Sequence, residues 1–305
     1  MKVLVTGAGG LIGSALVPAL RGRGASVLRA VRRPPVARDE VRWHPLDGRI
    51  EGEAVVDAVV HLAGGSLAAH RWNATVKRRM TESRVPATRA LCERLAELAP
   101  RPAVLIAASA IGYYGDRGDE LLDEDSPRGA GFLAELAEAW EQACEPARRA
   151  GIRTVQLRFG LVLARSGGAL QRLLLPFRLG LGGPLGDGRQ YWSWIALDDA
   201  VEAILFALEH DRLSGPVNAV APEALTQREF ARALARVLRR PAFLPAPAAA
   251  LRLVLGEMAD AMLLSSSRVR PQRLRSEGFA WRCPGLEGAM RRVIAGRVDD
   301  PRSPA

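Results

Sequence analysis

A chain of 305 residues, 48% hydrophobic and 25% charged, has the makeup of ordinary globular protein, which excludes disordered, collagen-like and disulfide-scaffold classes. The formal charge of +10 does not indicate a nucleic-acid partner, because all but two of the 43 basic residues are arginine, scattered singly or in pairs. The exceptions are Lys2 and Lys77.

Residues 2–6, Lys-Val-Leu-Val-Thr, read as a short strand. The turn Gly7-Ala8-Gly9-Gly10-Leu11-Ile12-Gly13 follows at once. Residues 12–21 read as a helix with Ile12, Ala15, Leu16 and Leu20 on one face. Further strands are expected at Val27–Val31, Val55–Ala63, Val104–Ala108 and Val155–Phe159, with helical patterns over 74–98 and 132–149 between them. Strand alternating with helix predicts parallel βαβ units.

The texture changes past residue 164. Gly167-Gly168 opens an apolar helix, and residues 180–188 form a glycine-rich loop. Asp198–His210 reads as a helix whose start is marked by acids. Thr226–Leu238 is a helix opened by a capping box of Thr226 and Glu229. The expected fold is α/β, a Rossmann-type doubly wound parallel sheet with a smaller C-terminal substrate lobe. Residues 1–165, with a return around 195–220, build the nucleotide-binding domain; 166–297 build mainly the lobe, and 298–305 a flexible tail.

Cys92, Cys144 and Cys283 lie far apart, as do the four histidines, so no metal site is expected. The apolar stretch 243–264 is interrupted by Arg252, Glu257 and Asp260 and does not read as a membrane span. Residues 2–5 run straight into the glycine turn, so a cytoplasmic protein with no leader segment is expected.

Gly7, Gly10 and Gly13 follow a strand and open a helix, the context in which such spacing binds a dinucleotide. The first glycine permits the tight turn, the second lets the backbone approach a pyrophosphate, and the third lets the helix pack on the strand. Leu11 and Ile12 then present amides at a helix N-terminus. An acid after the second strand would take the ribose 2′-hydroxyl of NAD. This chain has Arg32 and Arg33, which suit the 2′-phosphate of NADP(H). Leu62, Ala63 and Gly64 end the neighbouring strand and are expected on the adenine-ribose side.

With His61-Leu62-Ala63-Gly64, the glycine turn resembles the extended short-chain dehydrogenase/reductase superfamily. Trp72-Asn73, Ser109–Gly115, Leu175–Pro184, Ala221-Pro222 and Leu255-Gly256-Glu257-Met258 narrow the resemblance to its atypical "epimerase family", nucleoside-diphosphate-sugar-epimerase-like branch. The resemblance implies that Arg84 contacts the cofactor. It also implies a tyrosine with a lysine four residues on, which this chain lacks: the expected positions hold Phe132 and Leu136. Ser109 and Tyr113 remain as catalytic candidates, with Ser109 in the superfamily's serine stretch. An alternative register aligns Tyr114-Gly115 and puts Ala110 at the serine. An arginine that meets a sugar-nucleotide diphosphate in the superfamily falls here on Trp192. Tyr114, Gln190, Tyr191 and Trp192 are the candidate substrate contacts.

Three functions stay open. The first is an NADP(H)-dependent oxidoreductase acting on an unknown small molecule without the Tyr/Lys dyad. The second is a non-catalytic NADP(H)-binding sensor or partner-binding protein. The third, weakened by Trp192 and the missing dyad, is a sugar-nucleotide epimerase. No nucleic-acid or membrane partner is expected, and the chain is expected as monomer or homodimer.

Overall fold

The β-branched and aliphatic runs that open the chain enter one parallel sheet in the computed structural model, which describes residues 1–52, 55–165 and 167–295. Seven strands lie in the order Gly215–Ala219, Arg153–Phe159, Val104–Ala110, Ala58–His61, Lys2–Thr6, Ser26–Val31, Glu40–Arg42. Chain order reverses between Lys2–Thr6 and Ala58–His61, and the crevice beyond the carboxyl ends of those strands is where open α/β sheets bind ligands.

Side chains alternate across the sheet with period two. Val3, Val5, Val60 and Ile106 pack toward the helices Leu11–Gly22 and Leu197–Glu209. Leu4, Val59 and Leu105 pack the other way, onto the helix Val85–Glu97. The strand expected over 55–63 is shorter, Ala58–His61; the one expected over 104–108 is longer, Val104–Ala110.

Two helical patterns that read as continuous are each broken. Residues 74–98 form Ala74–Glu82 and Val85–Glu97, and residues 132–149 form Phe132–Gln142 and Glu145–Arg149. Pro86 and Pro146 cause the breaks: neither has the amide hydrogen that would bond the carbonyl four residues back. The first break turns Arg84 inward.

The last third folds back on the sheet. Asp199 accepts the backbone N–H of Arg282 at 2.7 Å and of Cys283 at 3.0 Å. Arg268–Val269 pairs in parallel with Leu121–Leu122. A second apolar cluster gathers Leu163, Leu174, Trp194, Phe230, Leu234 and Met290. The expected helix openings at Gly168 and Thr226 are present, the latter with both bonds of its capping box. The tail expected at 298–305 lies outside the described residues. No helix among the described residues is long and apolar enough to cross a membrane.

Candidate functional site

The glycine turn is built so that no side chain could replace its key hydrogens. Gly7 adopts φ +68°, and a Cβ there would stand 2.6 Å from the carbonyl oxygen of Leu62. A Cβ on Gly13 would stand 2.2 Å from the Gly7 oxygen, and one on Gly10 3.1 Å from it. The turn thus lies directly on the Leu62-Ala63 backbone, with Gly64 following. Gly10 opens the helix Leu11–Gly22 without a side-chain cap, and no acid sits in its first turn. The first-turn amides, including those of Leu11 and Ile12, are therefore left for an anion. A close glycine turn, open backbone donors and a helix start without an acid fit a dinucleotide.

The two arginines after the second strand are not equivalent. Arg33 is locked to Glu40, with Nη1 and Nη2 donating to its two carboxylate oxygens at 2.9 and 2.7 Å. Arg33 and the Val36 amide hold the Glu40 carboxyl well down, at about 2. Arg32 is exposed and has no carboxylate partner among the described residues. Arg33 is thereby a brace, and Arg32 carries the free charge.

Behind the strand ends runs a buried polar chain. Thr6 Oγ1 is 2.8 Å from His61 Nδ1, and His61 Nε2 is 2.9 Å from Thr88 Oγ1. Trp140 Nε1 donates to the same Thr88 oxygen at 2.9 Å, and the Ala63 amide donates to Thr6 Oγ1 at 3.2 Å. Burial pushes the His61 imidazole down to about 4, so it is neutral at pH 7. The unfolded state, with histidine near 6.5, binds the extra proton between these values. Stability from this group is therefore complete above pH 6.5 and is lost as pH falls toward 4. Between pH 7 and pH 5 the loss should be about 2 kcal/mol by this linkage. Urea unfolding at both pH values checks it, and a His61→Gln variant should lose most of that slope.

Arg84 is 6% exposed, and its guanidinium donates to the carbonyls of Met80 and Gly65 and lies 5.2 Å from the Trp140 ring. Burial lowers it to about 10, which leaves it charged at neutral pH. No carboxylate partners it among the described residues, and it stands against Gly64.

The serine and tyrosines are placed differently from expectation. Ser109 is 3% exposed, and its hydroxyl donates to Glu141 at 2.6 Å. Glu141 also holds Arg158, accepting from Nε and Nη2 at 2.8 Å each. Burial works against the Arg158 charge, but the Glu141 bonds outweigh it and raise the guanidinium above its ordinary value. Tyr114 is fully buried, donates to Asn218 Oδ1 at 2.8 Å and accepts from Arg158 Nη1 at 2.9 Å. Burial pushes its phenol up to about 12. Tyr114 therefore does not line a substrate, and Ser109 is turned toward an ion pair behind the strand end rather than toward an open cleft. This orientation favours the register with Ala110 in the serine position. Tyr113 is half-buried, its ring centroid 3.5 Å from the Arg158 guanidinium carbon.

The expected substrate segment is also mostly structural. Trp192 is 8% exposed and packs edge-on against Phe230, 5.2 Å between centroids. Gln190 is buried, with Nε2 bonded to the carbonyls of Leu185 and Leu263 at 3.0 and 2.8 Å. Tyr191 alone is partly open, with the Arg268 guanidinium 4.9 Å from its ring.

Phe132 opens its helix beside Trp72, 5.5 Å between ring centroids, and Leu136 is buried in the same small apolar cluster. Two groups absent from the sequence-based candidates meet there. Lys77 Nζ lies 5.2 Å from the Phe132 ring centroid, and it pairs with Glu257. Among the described residues, no group of three or more His, Cys, Asp or Glu is placed to hold a metal ion.

Residues 3–220 match the model of the NAD dependent epimerase/dehydratase family, and residues 246–293 match a domain of unknown function, DUF1731. The "Epimerase family protein ML0860" of Mycobacterium leprae is 43% identical over 279 residues, 91% of this chain and 90% of that protein. The crystal structure of human epimerase family protein SDR39U1 (isoform2) with NADPH superposes with a TM-score of 0.91 at 35% identity, covering 97% of this chain and all of that one. A nucleoside-diphosphate sugar epimerase from Corynebacterium glutamicum superposes with a TM-score of 0.80 at 34% identity, over 96% of this chain and 58% of that one.

Proposed function

Since the chain belongs to the NAD dependent epimerase/dehydratase family, we propose that it binds NADP(H) at the glycine turn and passes hydride to or from a small carbonyl or alcohol without a Tyr/Lys dyad. The observation that carries the cofactor reading is the pairing of the hydrogen-only cradle at Gly7 and Gly13 with the unpaired Arg32 beyond the second strand. When bound, the cofactor supplies the hydride chemistry, and the protein has to hold and orient it. Gly7, Gly10 and Gly13, with the amides of Leu11 and Ile12, hold the pyrophosphate. Arg32 meets the 2′-phosphate, with Arg33 fixing the strand end through Glu40. Leu62, Ala63 and Gly64 line the adenine-ribose side. Arg84, buried and charged, faces this loop as a further anion contact.

The solved human relative carries NADPH, in keeping with Arg32. Arg32→Asp should weaken NADPH by about 1.5–3 kcal/mol, or about 10- to 150-fold, the worth of a charge-assisted contact. NADH should weaken far less. Fluorescence titration of both cofactors measures this, and equal losses would remove Arg32 from the site.

A sugar-nucleotide substrate is disfavoured, because Trp192 is packed on Phe230 at the position where a diphosphate needs an arginine. The second reading, a non-catalytic NADP(H) sensor, draws on Phe132 and Leu136 at the dyad positions. Tight NADPH binding without turnover of any member of a carbonyl panel would favour it.

A further inference from the structure

Lys77 is one of only two lysines in the chain, and the other, Lys2, begins the first strand. Lysine and arginine differ in one chemical respect that matters here. A guanidinium is the weaker acid of the two, whereas an ammonium gives up its proton more readily, and it is compact enough to approach a reacting atom. The place of this lysine is also particular. Its Nζ stands 5.2 Å from the ring centroid of Phe132, the residue that opens the helix where the superfamily carries its tyrosine. The ring face of Phe132 attracts a cation and has no proton of its own to offer.

Lys77 is held there from across the molecule. Glu257 pairs with Nζ at 2.5 Å, and it comes from the C-terminal stretch matched by DUF1731. The neighbouring Gly256 has φ +63°, a conformation that other side chains rarely adopt, and it turns the chain into Glu257. Around the pair, Trp72, Met80, Leu136 and Met258 form an apolar wall. Trp72 spends its indole N–H on the Leu67 carbonyl at 2.8 Å. Among these neighbours only Lys77 has a proton to transfer. Near the strand end Ser109 is committed to Glu141 and Tyr114 to Asn218, while Tyr113 keeps its hydroxyl and lies with its ring against the Arg158 guanidinium.

We propose that Lys77 replaces the missing tyrosine as the proton donor to the substrate oxygen, with Glu257 as its positioning residue; this rests on the reading that the cleft holds NADP(H) and a small carbonyl compound. In the reducing direction the carbonyl carbon gains hydride from NADPH and forms a C–H bond. The carbonyl π pair becomes an O–H bond with a proton from Nζ. The products are the alcohol, NADP⁺ and a neutral amine, which solvent reprotonates; Lys77 is 27% exposed, so water reaches it.

The test uses the full chain, a panel of small aldehydes and ketones with NADPH, and the variants Lys77→Ala, Lys77→Arg and Glu257→Gln. NADPH binding should survive in all three and change far less than turnover, since none touches the glycine turn or Arg32. Turnover should fall by about 10²- to 10⁴-fold in Lys77→Ala, the range for a lost proton donor, and Lys77→Arg should not restore it. A second readout needs no turnover. An amine-selective acylating reagent, with mass spectrometry, reports Lys77 against Lys2 in the same molecule. Saturating NADPH should protect Lys77 and leave Lys2 unchanged. Glu257→Gln should raise Lys77 labelling severalfold without shifting the melting temperature by more than a few degrees. Full activity in Lys77→Arg, or Lys77 labelling indifferent to NADPH, overturns the proposal. If no carbonyl is turned over, the protection arm decides alone. Wild type that fails to bind NADPH defeats the functional reading itself, an outcome seen in the titration before any variant is made.

Discussion

Glu141→Ala is expected to destabilise the protein by about 3–5 kcal/mol, the range for removing one partner of a buried ion pair. Arg158 and Glu141 side chains are only 3% and 12% exposed, so the orphaned guanidinium could not recover its hydration. The loss would also free the Ser109 hydroxyl, which donates to the same carboxylate. Glu141→Gln keeps an acceptor and should cost less than the alanine variant. Chemical denaturation at pH 7 measures both. Equal stability of Glu141→Ala and wild type would mean that water enters the site and solvates Arg158. Ser109→Ala, by contrast, should change little, since Glu141 keeps its two bonds from Arg158.

Gly13→Ala is expected to abolish measurable NADPH binding, a loss of at least 100-fold, and to cost about 1–3 kcal/mol of stability through overpacking. Its Cβ would sit 2.2 Å from the Gly7 carbonyl oxygen and 2.8 Å from the Ala8 Cα. Both are backbone atoms of the turn itself, so relief means moving the turn that holds the phosphates. Gly9→Ala is the matched control: nothing lies within 4 Å of its added Cβ, and the fold should not register it. Calorimetry of both variants with and without NADPH separates the binding loss from the folding loss. Retained affinity in Gly13→Ala would show that the helix start is softer than its contacts imply.

What could be read from the sequence is what is local. Strand, turn and helix lie within residues 2–22, and their hydrophobic period and glycine spacing state the cradle directly. The Thr226–Glu229 cap is equally local. The helix breaks were available too, in Pro86 and Pro146, but were masked by apolar periodicity continuing across them. Side-chain partnerships separated along the chain were not available. Ser109 and Tyr114 looked like substrate-facing groups because nothing near them in sequence announces Glu141 or Asn218, the latter 104 residues on. One signal pointed that way: Arg158 is a charge inside an otherwise buried strand, and such a charge requires a partner. Nothing near Lys77 in the sequence announces its neighbours either, which come from residues 132 and 257. Tyr191 and Trp192 stand together among the candidate substrate contacts, yet alternate residues of a buried segment also make a core, and Trp192 takes that role.

The stitching of residues 268–283 onto the sheet changes what the boundary between the two family models means. Asp199 closes on the amides of Arg282 and Cys283, Trp281 donates to the Val220 carbonyl at 3.0 Å, and Arg268–Val269 extends Leu121–Leu122. The C-terminal stretch therefore has no core of its own to retreat to, and the N-terminal region has no finished surface without it. A cut near residue 245 would separate the two matched stretches but should leave neither piece a folding unit. Calorimetry of the whole chain is therefore expected to show one transition.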